Sequence, residues 1–505
     1  MKFLSLSLLL ALVALGTWAR FQALGERVFH TDEGVQGVIF EELIDEGIYQ
    51  FDSTEYHGPT NHYLTLAWVR LLGKEGSADL TEADLRGVAV LAGLFLLLLP
   101  LALRKELGPG ATLLSVALWA GSPMLFYYHR YLIHESLFVV FTIVATVLAW
   151  RFWNRPDYRN AALLGLAIAC AHATKETFVF PALAAFLALF LCGDRTRVQA
   201  TLQPKILATL LGAYLFGNIL LFSSFFSHAG GPLASFQTYA HYLVRAEGEG
   251  HDKPFFFYLE ELLWERVPGR LVFSEGLPFL GTLLVFLPGL LPKPAFARYL
   301  ATSSLLTLLF FSLTPYKTIW SVLGVVAVWN LCAAISLAAL LGKTWSARRR
   351  GAALAMAAAL ACGLVWQIQM IRWENFRSQF HSDPRNRWVY SHTLPNHLRM
   401  VDRLRGILEQ EPAGLLLVIE EGYSWPLDWY LRRERERVAY YTASEQVPPD
   451  VWENENLVAV VFPANEIAQM KEQLGEDFRA DDFYGLRPNV FQQVMVRREV
   501  WESYR

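Results

Sequence analysis

Cysteine is scarce. The four present, Cys170, Cys192, Cys332 and Cys362, lie in or beside apolar runs with no CxxC spacing, so they read as small core residues rather than metal ligands or disulfide partners. Charge is thin as well: Asp, Glu, Lys and Arg make up 18% of the 505 residues, against 54% hydrophobic. Nor is there a basic excess, because 44 Lys and Arg face 47 Asp and Glu. A net charge of −3 offers nothing for nucleic acid to bind. No internal repeat of the kind that builds transporters is visible, and the charged segment 372–505 lacks a glycine-rich phosphate loop.

What is present is long hydrophobic runs. Mean hydropathy is +0.28, and stretches able to cross about 30 Å of hydrocarbon recur along most of the chain. Spans are predicted at 3–19, 85–103, 111–127, 135–152, 161–173, 177–192, 206–226, 271–291, 299–314, 319–341 and 352–371. The opening MKFLSLSLLLALVALGTWAR lacks a clean A-x-A cleavage site and is read as a retained first helix.

Alternate loops carry Arg104 and Lys105; Arg151, Arg155 and Arg159; Arg195, Arg197 and Lys205; Lys293 and Arg298; and Lys343 with Arg348–Arg350. With Lys2, these short loops belong inside, which makes the N-terminus cytoplasmic. The opposite loops are longer and acidic, and all twelve histidines fall on that side. Residues 60–73 are apolar but too short to cross, and counting them as a span would destroy the charge bias. They and 33–49 are read as helices lying in the outer interface. The arms 161–173 and 177–192 are short, the first about 20 Å. Their tip HATKE, with Lys175 and Glu176, therefore belongs below the outer headgroups, where a Lys-Glu pair is costly unless it faces a polar cavity.

The expected fold class is thus a polytopic α-helical membrane protein of about eleven spans, over residues 1–371. Residues 372–505 are expected to form an extracytoplasmic α/β domain. Within it GLLLVIEE (414–421), NLVAVVFP (456–463) and QQVMVRREVW (492–501) read as strands, and 397–410 as an amphipathic helix.

Chemistry concentrates in the outer loops, in FHTDEG (29–34), YHGPTNHY (56–63), YYHRYLIHESLF (127–138), HATKE (172–176) and PYKTIW (315–320). A phosphate leaving group departs as a stable anion and needs cations; an acceptor hydroxyl needs a carboxylate to take its proton. Asp32, Glu33 and Glu135 supply carboxylates, and His57, Arg130, Lys175 and Lys317 supply cationic or hydrogen-bonding neighbours. Blander readings compete: a solvated DE loop, an Arg130–Glu135 structural pair, Lys317 snorkelling to headgroups. A divalent metal held by His30, Asp32, His57 or His62 is a further alternative, and no other cofactor is called for.

The order of these motifs resembles the polyprenyl-phosphate-dependent GT-C glycosyltransferases, above all the bacterial and archaeal family labelled as flippase-activity-associated. That family is related to protein O-mannosyltransferases and lipid A aminoarabinose transferases. RNRWVYSHT (385–393) and the tail FYGLRPNVFQQVMVRREVW extend the likeness over nearly the whole chain. The resemblance implies Asp32 as catalytic base with Glu33 beside it, Glu135 as the second acidic motif, and Arg130, Lys175 and Lys317 on the donor phosphate. His57, with Tyr56, stands where relatives carry the lysine of a Lys-Pro-Pro motif, and Gly58 replaces the first proline. Glu176, His62 and Tyr316 take supporting places. Implied partners are a polyprenyl-phosphate-linked sugar, membrane lipids, and a glycan, lipid or protein acceptor at the inner (plasma) membrane. The rival reading is a non-catalytic partner or translocation factor for lipid-linked sugars.

Overall fold

The computed structural model describes residues 3–54, 57–245, 252–264, 275–344, 350–377, 380–420 and 424–503. In chain order the helices begin α1 Phe3–Phe21, α2 Thr31–Glu46, α3 Thr60–Leu71, α4 Glu82–Ala102, α5 Arg104–Gly121, α6 Pro123–Tyr128, α7 Glu135–Asn154, α8 Tyr158–His172 and α9 Val179–Cys192. They continue as α10 Pro204–Phe222, α11 Gly231–Arg245, α12 Gly276–Leu284, α13 Ala295–Leu313, α14 Leu323–Thr344, α15 Arg350–Phe376 and α16 Asn396–Gln410. Strands β1 Leu415–Ile419, β2 Val438–Tyr441 and β3 Leu457–Pro463 follow, then α17 Ile467–Leu474, β4 Phe478–Arg487 and β5 Val490–Arg497. The chain divides into two compact units. The first is Met1–Leu24, Gly47–Gly73 and Asp84–Phe376; the second is Gly25–Glu46, Lys74–Ala83 and Arg377–Arg505.

The first unit is helical. Every apolar run predicted as a span overlaps one of its described helices, and residues 271–274 of the 271–291 run lie outside the described residues. Among the described residues, Glu82–Ala102, Glu135–Asn154, Pro204–Phe222, Ala295–Leu313 and Ile319–Gly342 are long and apolar enough to cross a membrane. Glu176–Cys192 and Arg195–Thr201, bent by 112°, make a sixth if they are one broken span. Others are shorter: α8 has 15 residues and α12 has 9. The polar tip after His172 is what halts α8, since the next residues enter a turn and a 3₁₀ segment. Polar heads inside the bundle find backbone carbonyls, as a water-free interior demands: Trp119 Nε1 donates to Ala327 O at 2.8 Å, and the Tyr299 hydroxyl to Thr146 O at 2.8 Å. Of the cysteines, Cys332 is buried, whereas Cys362 is exposed on α15 and is not the core residue expected.

The second unit holds a five-stranded sheet in the order β2-β1-β3-β5-β4. β1 runs parallel to β2 and β3, while β5 is antiparallel to β3 and β4. β3 is buried at every position, which is why its sequence, LVAVVFP, is continuously apolar rather than alternating. Leu417, Ile419, Val460, Phe462, Met470 and Met495 meet in the core of this unit. The last predicted strand ends early, at Arg497, because Arg498–Ser503 turns helical. β2, only four residues long (VAYY), and β4, rich in charged residues (FRADDFYGLR), appear as strands only in the structure.

α2 folds with this sheet. Among its carboxylates, Glu41 is only 5% exposed. Arg432 Nε lies 3.6 Å from Glu41 Oε1, and Arg435 also pairs with this carboxylate. Burial raises the Glu41 pKa and the Arg435 charge opposes that. α2 can approach because it presents glycine. A Cβ on Gly37 would lie 2.7 Å from Trp429 Cε3, and one on Gly34 2.8 Å from Pro426 Cβ. Gly37→Val should therefore overpack this contact and lower stability by about 1–3 kcal/mol, read as a reduced midpoint of thermal unfolding. An unchanged midpoint would show that Trp429 yields freely.

Candidate active site

In the second unit, two adjacent carboxylates are held in opposite ways. His30 caps α2. Its Nδ1 accepts the Asp32 amide hydrogen at 3.0 Å, and its own backbone N–H donates to Glu33 Oε2 at 3.1 Å. This is a reciprocal capping box with an imidazole in the place of the usual hydroxyl. Glu33 is fully buried, and Arg27 Nη2 lies 3.9 Å from its other oxygen. Asp32, one residue earlier on the turn, keeps its side chain 48% exposed. Of the expected catalytic pair, Glu33 is therefore committed to the helix start, and Asp32 alone is presented outward. His30 Nε2 lies 3.0 Å from the Tyr390 carbonyl oxygen. Both ring nitrogens of His30 are thus engaged. Among the described residues, no group of three or more His, Cys, Asp or Glu is placed to hold a metal ion.

In the first unit, the tip between α8 and α9 joins the start of α7 and the segment before α3. Lys175 pairs with Glu135, and the two are 8% and 3% exposed. His57 Nδ1 lies 3.0 Å from Glu176 Oε2. Glu176 is buried, while the His57 side chain is 39% exposed, so the imidazole faces outward with a carboxylate behind it. His134 Nε2 donates to the Gly58 carbonyl at 3.2 Å, and its ring lies 5.1 Å from that of His57 and 6.1 Å from that of His62. Gly58 is where the chain passes closest: a Cβ there would fall 2.1 Å from Ala173 O. The Thr60 and Thr174 hydroxyls, 2.7 Å apart, complete the seam. Burial keeps His134 well below, and His62 at about 3 against, the usual imidazole range, so both rings are neutral.

The remaining expected residues are used elsewhere. Arg130 donates to the carbonyls of Arg20 at 2.8 Å and Ala23 at 3.1 Å, and its guanidinium lies over Phe376, 4.7 Å from the ring centroid. It clamps the end of α1. Lys317 donates to Lys253 O at 2.9 Å and to Thr314 O, and is 2% exposed. Tyr316, half-exposed, bridges to Asp252. Tyr56 lies outside the described residues. Sequence reasoning missed His134, Gly58, Thr174 and Tyr390 as site-builders, because each acts across a long stretch of chain through a backbone group, a hydroxyl or a neutral ring.

Two predictions follow from these environments. Removing one member of the buried ion pair leaves the other charge unpaired, so Glu135→Gln should cost about 3–5 kcal/mol. Glu135→Leu combined with Lys175→Met should regain much of it, measured by thermal unfolding of the purified protein. For His62, the unfolded chain takes up a proton below about pH 6.5 that the folded state refuses until about pH 3. Stability therefore falls with pH in that window, by up to about 1.4 kcal/mol per unit. The unfolding midpoint should drop between pH 7 and pH 5, and His62→Gln should flatten part of that drop.

Residues 57–222 match the dolichyl-phosphate-mannose-protein mannosyltransferase family. No curated protein sequence matches the chain. Among solved structures, the chain is similar to ArnT from Cupriavidus metallidurans bound to undecaprenyl phosphate. Identity there is 15%, with 96% of this chain and 97% of that chain covered and a TM-score of 0.65. The Archaeoglobus fulgidus oligosaccharyltransferase, solved with Zn and sulfate, matches at 13% identity, 98% and 76% coverage and a TM-score of 0.54. The chain is thus a polytopic helical membrane protein that shares the fold of these solved structures, and its residues 57–222 match the mannosyltransferase family model.

Proposed function

We propose that this chain is a membrane glycosyltransferase that moves one sugar from a polyprenyl-phosphate carrier to an acceptor hydroxyl on the outer face of the membrane. In this reading Asp32 takes the proton of the acceptor hydroxyl as its oxygen attacks the anomeric carbon. The bond from that carbon to the phosphate oxygen breaks, and the lipid phosphate leaves as an anion. A single displacement inverts the anomeric centre. His57, backed by Glu176, and Lys175, oriented by Glu135, would meet the phosphate charge. Glu135 also remains the candidate for orienting acceptor or donor.

The observation that carries the reading is where the family match falls. Residues 57–222 contain both the Lys175–Glu135 and His57–Glu176 pairs. The fold shared with a protein solved with undecaprenyl phosphate bound supports the choice of a polyprenyl donor.

The test is to incubate the purified protein with a panel of undecaprenyl-phosphate sugars, with added Mg²⁺ or Mn²⁺ and with EDTA, and to measure released lipid phosphate. Asp32→Asn should lower turnover roughly 100-fold or more while leaving expression and membrane insertion intact. Wild-type turnover in that variant would remove the mechanism. Donor binding without any release by the wild type would favour a non-catalytic partner for lipid-linked sugars.

A further inference from the structure

We propose that His30, as a neutral imidazole protonated at Nε2, is the positioning residue of Asp32, holding its backbone while its half-exposed carboxylate stays outward, with Oδ1 3.8 Å from the same Nδ1. The inference rests on the reading of Asp32 as the base. It comes from the chemistry of the two partners of the ring. The Asp32 amide can only donate, so Nδ1, 3.0 Å away, must be the acceptor. The Tyr390 carbonyl can only accept, so Nε2, 3.0 Å away, must carry the hydrogen. An imidazolium could not accept at Nδ1, and the opposite tautomer would fail at both ends.

The surroundings keep this state. His30 is 4% exposed, and its ring lies 5.0 Å from that of His392. Nδ1 of His392 in turn accepts the Tyr390 amide hydrogen at 3.0 Å, tying down the residue whose carbonyl receives the His30 hydrogen. Burial lowers the His30 pKa most strongly, Arg487 adds to that, and Asp32 and Glu33 oppose it.

The choice of cap has a consequence for chemistry. Ser, Thr, Asp or Asn usually cap helices, and an aspartate doing so gives its oxygen to the backbone. Here Thr31 is not used, since its buried hydroxyl has no partner. Glu33 closes the box from its far side. The imidazole thus relieves Asp32 of capping, and Asp32 remains the exposed carboxylate of the pair. A base must be held close to its productive position by such supporting contacts. The tie to Tyr390 also gives a physical role to the RNRWVYSHT segment: it anchors the base from a distant part of the chain.

The test uses the full-length protein in lipid nanodiscs, with His30→Ala, His30→Asn and the wild type. On the undecaprenyl-phosphate sugar that the panel identifies, His30→Ala should lower kcat roughly 100-fold with KM little changed. His30→Asn, whose side-chain oxygen can still accept the Asp32 amide, should recover to within roughly tenfold of wild type. Wild-type kcat in His30→Ala, or no rescue by His30→Asn when both variants insert, overturns the proposal. Imidazole ¹⁵N NMR provides a readout independent of activity. The resonance lost in His30→Asn should show the Nε2–H tautomer at pH 7, and an Nδ1–H tautomer or an imidazolium overturns the proposal even if His30→Ala does not fold. The Nε2–H signature in a protein that turns over no donor supports the positioning geometry and counts against the transfer reading alone.

Discussion

A carboxylate and an ammonium buried together at helix ends set the terms for the first unit. Neither Glu135 nor Lys175 can be hydrated where it lies, and each is tolerable only because the other is present. That pairing imposes geometry. The start of α7 must lie beside the tip between α8 and α9, and the segment before α3 must close over it. Gly58 permits this closure by lacking a Cβ against Ala173 O. The neighbouring histidines are sorted by the same logic. His62 and His134 are buried and neutral, while His57 keeps an outward edge and a buried carboxylate behind it. A polar cluster built this way is preorganised, with its charges held in place before any ligand arrives.

The second unit makes a parallel separation with two adjacent carboxylates. Chain position alone makes Asp32 and Glu33 equivalent, yet a helix cap divides them. Glu33 turns back to the backbone of His30 and toward Arg27, whereas Asp32 is left outward. The helix that carries them is docked by Gly34 and Gly37 against Pro426 and Trp429, and by Glu41 between Arg432 and Arg435. Local capping and docking contacts therefore converge on one short turn.

Much of this architecture is legible from residues alone. Apolar runs longer than a soluble core requires fall on helices because hydrocarbon admits few other backbone conformations. The uninterrupted LVAVVFP reads as a strand buried on both faces and is one. HLRMVDRLRGILEQ repeats at helical spacing and lies within α16. What fails to read is instructive. Strand β2 is too short and β4 too charged to show a period, and Glu41 is buried only because Arg432 and Arg435 reach it from nearly 400 residues away. Arg130 looks like a ligand for phosphate but is satisfied by carbonyls at the end of α1.

Composition and spacing by themselves determined the membrane class of the protein, the helical character of its apolar runs, and the few loops where carboxylates and cations gather. Those properties depend on solvent transfer and on periodicity, both of which are local. Only the tertiary structure decided which of two neighbouring acids is buried, which histidines are neutral, and which cations already have partners. Burial, tautomer and hydrogen-bond pairing depend on atoms brought together from distant parts of the chain, and no short window of sequence contains them.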